Sequence, residues 1–261
     1  MKNNGKTLLI ILLIAMIALV AYLVYGYARK SNENRQNPIA TMEIKDYGTV
    51  EMELYPDVAP NTVANFIKLA KNGYYDGLTF HRVVPDFMIQ GGDKKGDGTG
   101  SVNLKDLYPN TSDADDKEYT IEGEFMVNNY NKNNIRFERG VLAMARADYS
   151  SLGTSELRKA GYNSAGAQFF IMVEKNSSLN GLYAAFGKVL EGMDVVDQIV
   201  NLETAVETDE EGNETKTEKP VNPPVIEKIT VDTFGVDYGY PETQDAFDYT
   251  SYLMQQYNLN Q

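Results

Sequence analysis

The stretch Phe80 to Asp93, FHRVVPDFMIQGGD, decides how the rest of the chain is read. TFHRVV (79–84) and FMIQ (87–90) are short apolar runs rich in β-branched and aromatic residues, so each is expected as a strand. Regular alternation along the first puts Phe80 and Arg82 on one face and His81 on the other. The glycine-rich run GGDKKGDGTG (91–100) follows. It lacks the G-x-x-x-x-G-K-[ST] spacing of a phosphate cradle, and its aspartates miss the EF-hand spacing, so it is expected as a plain loop.

Upstream, TMEIK (41–45) and TVEMELY (49–55) both alternate, with Met42, Ile44, Val50, Met52 and Leu54 on one face. Asp46-Tyr47-Gly48 supplies the turn of this hairpin. Pro60-Asn61-Thr62 opens a helix in which Val63, Phe66, Ile67 and Ala70 keep helical spacing, and Gly73 suits its C-terminal end. Downstream, GVLAMA (140–145), AQFFIMV (167–173) and AAFGKV (184–189) read as strands, followed by a short helix at 191–201 and a last strand, VIEKITVDTF (225–234). Many short strands with two brief helices point to a β-barrel or sandwich. Segments 104–134, 147–163 and 207–224 interrupt the pattern and are expected as solvated surface insertions, the last as an elongated hairpin or a flexible loop. The extension 237–261 is rich in tyrosine, and Pro241-Glu242-Thr243 is expected to open a helix with Phe247, Thr250, Met254 and Tyr257 on one stripe.

Composition narrows the chemistry. The chain of 261 residues is 43% hydrophobic, enough for a substantial core. Lys and Arg number 24 against 37 Asp and Glu, a net charge of −13, so the basic surface that nucleic acid requires is missing. There is no cysteine, which excludes a disulfide framework, thiolate metal sites and thiol catalysis. The single histidine, His81, excludes a multi-histidine metal site within one chain, and no cofactor or metal is expected. A hydrolase built on His81 lacks any G-x-S-x-G or comparable nucleophile motif.

The string FHRVVPDFMIQGGD, with GVLAMARA (140–147), AGAQFFIMV (165–173) and SLNGLYAAFGKVLEGMDVV (178–196), resembles the cyclophilin family of peptidyl-prolyl cis-trans isomerases in content and order. The resemblance covers about residues 39–235, placing the domain at 39–236, and implies a mostly β fold, an eight-stranded antiparallel barrel capped by two α-helices. It implies Arg82 as the catalytic residue, a proline pocket of Phe87, Met88, Phe170, Leu179 and Tyr183, and a peptide groove of His81, Gln90, Ala145, Arg146 and Gln168. The implied partners are proline-containing unfolded polypeptides. The chemistry agrees with these residue types. Turning an X-Pro bond breaks no covalent bond, so what helps is a cationic donor beside the twisting amide and an apolar slot for the ring. A peptide-binding chaperone that holds clients with little isomerase activity is the alternative. The sequence departs from the family pattern at Arg146, where asparagine is usual, at Tyr183, where many members have histidine, and at Ser178, where the eukaryotic type has tryptophan. The first adds charge to the groove, the second keeps an aromatic wall, and the third implies weak sensitivity to cyclosporin.

From Thr7 to Ala28 no residue is charged, and the run TLLIILLIAMIALVAYLVYGYA is long enough as a helix to cross a bilayer. Residues 1–28 are therefore expected as an uncleaved transmembrane anchor, with a cleaved signal peptide as the rival, and residues 29–38 as a polar tether. Five basic residues against Glu33 give residues 1–36 a net +4, so of the total −13 the rest of the chain carries −17. A single-pass protein at the cell membrane with its domain outside is the expected arrangement, on the strength of the cysteine-free composition and the short basic head.

Overall fold

The structure is a computed structural model and describes residues 11–24, 36–110, 116–149, 153–208 and 211–259. Residues 11–24 form a helix, α1, exposed along its length. No helix among the described residues is long and apolar enough to cross a membrane, and the expected span 7–28 extends at both ends beyond them. Residues 1–36 and 37–261 are separate units.

In the second unit the expected hairpin forms from β1 (Ile39–Ile44) and β2 (Gly48–Leu54). Asp46, at φ 65°, makes the left-handed turn between them. Alternation holds, so Ala40, Met42, Val50, Met52 and Leu54 are all fully buried. Six further strands complete one antiparallel sheet: β3 (Thr79–Val84), β4 (Met88–Asp93), β6 (Val141–Met144), β7 (Phe169–Met172), β8 (Ala185–Glu191) and β11 (Ile226–Asp232). Its spatial order is β11-β1-β2-β8-β6-β7-β4-β3. The edges meet where Ile226 N–H donates to Leu78 O (2.7 Å), Gly77 N–H to Ile226 O (2.8 Å) and Phe80 N–H to Pro224 O (3.0 Å). Closure of this kind hides the edge hydrogen-bonding groups.

Two apolar clusters lie on the two faces of the central strands. Phe66 and Leu69 of helix α2 (Pro60–Lys71), Phe80, Ile89, Leu142, Phe169, Ile171 and Phe186 belong to the main core, with Val196 and Ile199 of α5 (Met193–Val200). Met88, Val141, Ala143, Phe170 and Met172 belong to a second cluster on the outer face. Both faces being covered explains why FFIM and VLAM are unbroken apolar runs rather than alternating ones.

Two helices form in the insertions beyond those expected, α3 (Leu104–Leu107) and α4 (Ser155–Tyr162), and the expected tail helix is α6 (Tyr249–Leu259). Among its described residues, the segment 104–134 is only partly solvated. It buries Leu107, Tyr119, Ile121 and Phe125, and buried Glu124 accepts the Asn61 and Thr62 backbone N–H groups (3.0 and 2.8 Å), capping α2. In 147–163, Thr154 caps α4 and Leu157 is buried. The segment 207–224 is an elongated hairpin of β9 (Thr204–Thr208) and β10 (Glu214–Pro220).

The tail also departs from expectation. Pro241 does not start a helix, because β12 (Gln244–Asp245) pairs with β5 (Tyr119–Thr120) and holds the chain extended. The helix starts after Asp248, whose carboxylate accepts from Ser251 N (2.9 Å), and it buries Tyr252 while Met254 is exposed.

Candidate active site

A bulge sets the orientation of Arg82. Regular alternation would give Phe80 and Arg82 one face, but the β3–β4 register shifts between them, so Phe80 pairs with Gly91 and Arg82 with Gln90. Phe80 enters the main core and Arg82 reaches the outer face, the re-aiming that a bulge achieves. Arg82, Gln90, Phe170, Ala143 and Ala185 then form one transverse row across five strands.

Around this row, Arg82, Phe87, Met88, Gln90, Ala145, Arg146, Phe170, Leu179 and Tyr183 line a cavity of about 200 Å³. Phe87 follows Asp86, which takes φ 59° in the turn between β3 and β4, and Phe87 O accepts from Val173 N–H (2.9 Å). Leu179 ends a short 3-10 turn in which the Asn176 side chain accepts from Ser178 N–H (3.1 Å). Phe170 packs edge-on to Tyr183 at 5.7 Å and lies near-parallel to Phe137 at 6.1 Å. Phe137 supports the pocket from behind. It was not legible as a site residue because it lies in a polar stretch without periodicity.

A chain of polar side chains fixes the rim. Arg82 Nη1 donates to Gln90 Oε1 (3.2 Å), Gln90 Nε2 to Gln168 Oε1 (2.9 Å), and Gln168 Nε2 to the carbonyls of Gly98 and Gly100 (3.0 and 3.2 Å). Those carbonyls are set by the carboxylate of Asp93, which is 1% exposed and accepts from the backbone N–H of Lys95, Asp97 and Gly98 (3.2, 3.0 and 2.6 Å). The first residues of the expected glycine loop, 91–93, belong to β4. At Gly92, φ is +85° and a Cβ would stand 2.7 Å from Ala167 O, so only glycine lets the strands approach this closely.

One expected groove residue, His81, lies away from the rest. Gln168 does not line the 200 Å³ cavity. It lines a neighbouring one of about 350 Å³ that shares Gln90, Ala145 and Arg146 and whose far side carries Tyr149 and Phe247 from the insertion and the tail. His81 lines neither cavity. It is 5% exposed, because it occupies the bulge under the loop. Burial holds its imidazole below the ordinary histidine pKa; Asp93 opposes that shift and Arg82 reinforces it.

Arg146 is locked in place. Its Nε donates to Leu182 O and its Nη1 to Ala147 O, both at 3.0 Å, and its guanidinium lies 4.5 Å from the Tyr183 ring and 5.2 Å from that of Tyr162. It makes no ion pair among the described residues.

The antiparallel sheet thus carries on its outer face an apolar pocket with Arg82 on its rim. A profile described as "Cyclophilin type peptidyl-prolyl cis-trans isomerase/CLD" matches residues 39–231, and the chain belongs to that family of isomerases. Peptidyl-prolyl cis-trans isomerase B of Bacillus subtilis (strain 168) is 38% identical over 169 residues, 65% of this chain and 95% of that protein. A putative peptidyl-prolyl cis-trans isomerase of Staphylococcus haemolyticus is 30% identical over 235 residues, 79% of this chain and 98% of that one. The crystal structure of a Cryptosporidium parvum cyclophilin type isomerase, in the presence of the dipeptide Ala-Pro, superposes with a TM-score of 0.54 at 26% identity, over 74% of this chain and 98% of that one.

Proposed function

We propose that this isomerase turns X-Pro bonds in unfolded, exported polypeptides, with the proline ring in the 200 Å³ pocket and the Arg82 guanidinium beside the twisting amide. The barrier of about 18–20 kcal/mol is the amide resonance lost as the C–N bond rotates. A charged, multi-donor group stabilises the electron pair that localises during rotation, and guanidinium keeps its charge at every relevant pH. Phe87, Met88, Phe170, Leu179 and Tyr183 hold the ring by apolar contact, and Gln90 and Ala145 grip the flanking backbone. A gain of about 10⁵-fold corresponds to roughly 7 kcal/mol of selective stabilisation, within reach of a few preorganised contacts. The observation that carries this reading is the fixed cation on the rim of an apolar pocket.

Residues 7–28 are proposed to anchor the enzyme, with the domain outside the membrane, where exported chains appear. The support is the uncharged run itself and the exposure of Leu12, Ile14, Ile17 and Leu23 on α1, apolar side chains that a bilayer would cover.

The test measures cis-trans isomerisation of a short X-Pro peptide by the full chain in detergent micelles, with Arg82→Ala as comparison. The expected result is activity in the parent and a loss of at least tenfold in the variant. Equal activity would remove Arg82 from the mechanism, and an inactive parent that still bound the peptide would favour the holding chaperone. Protease shaving of intact cells checks topology: a domain that survives until the cells are opened refutes the outward orientation.

A further inference from the structure

We infer that Glu218, carried by the β9–β10 hairpin, is a positioning residue for the Arg82 guanidinium; this rests on the isomerase mechanism proposed above. Glu218 Oε2 accepts from Arg82 Nε at 2.5 Å. The contact is local to a built feature. β10 lies against β3, and the β9–β10 pairing loses register between Lys216 and Pro220, the stretch that contains Glu218. Thr217 fixes this irregular stretch, its Oγ1 donating to Ala205 O (2.9 Å) and accepting from Lys219 N–H (3.3 Å). A bulge held in this way turns one side chain out of the ladder, and here the side chain is a carboxylate that meets Arg82.

The geometry divides the five guanidinium donors. Glu218 takes Nε–H and Gln90 takes one hydrogen of Nη1, so among the described residues both hydrogens of Nη2 and one of Nη1 are without a partner. The two acceptors grip different parts of the planar group and fix its plane. Arg82 is partly exposed and would otherwise sample many rotamers, each of which takes the donors away from the amide. A guanidinium held before the substrate arrives has no reorganisation to undergo during the rotation. The opposite effect, a carboxylate that neutralises the useful charge, is weakened because Glu218 is itself about half exposed and its field is screened by water.

The experiment compares kcat and KM of the full chain, Glu218→Ala and Glu218→Gln on one X-Pro peptide, with Arg82→Ala and the Arg82→Ala, Glu218→Ala pair alongside. Positioning predicts that Glu218→Ala lowers kcat/KM about three- to tenfold through kcat, the worth of one charge-assisted hydrogen bond at a partly exposed site. Glu218→Gln should retain more than half the parent value, because its amide oxygen still accepts from Nε–H. In the Arg82→Ala background, removing Glu218 should cost nothing further. A Glu218→Ala rate equal to or above the parent overturns the inference and marks the contact as idle or inhibitory. A glutamine variant as poor as alanine, or an equal loss in the Arg82→Ala background, overturns it too. An inactive parent sinks the isomerase mechanism itself, whereas an active parent with an undiminished Glu218→Ala sinks only the role of Glu218.

Discussion

Replacing Asp93 by asparagine should damage both stability and catalysis without touching the proline pocket. The carboxylate is almost fully buried and accepts three backbone N–H groups of the loop that follows it. Asparagine has one acceptor oxygen. If that oxygen keeps Asp97 and Gly98, the new amide faces the Lys95 N–H donor to donor, and the two surviving bonds lose their charge assistance. Counting one lost bond and two weakened ones at about 1 kcal/mol each gives roughly 2–4 kcal/mol. For a domain of this size that lowers the thermal midpoint by about 5–12 °C. The loop also presents the Gly98 and Gly100 carbonyls to Gln168, and through Gln168 and Gln90 it steadies Arg82. A loosened loop should therefore cost about two- to fivefold in kcat/KM, less than one full hydrogen bond at the reacting group would. Calorimetry gives the midpoint, and amide exchange of residues 94–100 reports the loop directly. An unchanged midpoint with loop amides as protected as in the parent would refute the account of Asp93 as the organiser of this edge of the site.

Acid should act through His81. Its folded-state pKa lies below the unfolded value of about 6.5, so the unfolded chain binds the proton first, and the stability the neutral ring contributes is present above that value and lost as pH falls toward the folded pKa. Urea unfolding of the parent and His81→Gln between pH 7.5 and 5 should show the parent alone losing stability from this source; parallel curves would contradict it. At Arg146, a cation without an ion pair among the described residues stands between two cavities, so peptides with Glu rather than Lys next to the X-Pro pair should be turned over about two- to fivefold faster. Arg146→Asn should erase that preference, and a preference that persists would place its origin elsewhere.

The strands were legible because burial on one face imposes alternation, as in Met42, Ile44, Val50, Met52 and Leu54, and burial on both faces imposes runs such as FFIM. The residues of the pocket came from the family resemblance. Their assembly into a single row depends on register across five strands, which no local pattern encodes. The bulge at His81 leaves composition unchanged, so no sequence pattern marks it, and it reverses the expected relation of Phe80 to Arg82. The segment 104–134 looked solvated because its few core anchors, Leu107, Tyr119, Ile121 and Phe125, are spaced too irregularly to suggest a helix or a strand. Glu218 was invisible for another reason. One glutamate among several in a charged run gains its meaning only from where the hairpin folds back.

That hairpin leaves and rejoins the barrel at adjacent points, with Thr204 paired to Pro220 and Val221 N–H donating to Glu203 O (2.9 Å). Beyond this stem it meets the barrel where β10 lies against β3. Its strands pair with each other and with no strand of the eight-stranded sheet, and chain length in such an appendage costs only logarithmically in closure entropy. The barrel and the setting of its arginine can therefore evolve on separate clocks. Grafting the same stem, with a different residue at the place of Glu218, onto an otherwise unchanged barrel offers a route to isomerases of graded activity without any redesign of the pocket.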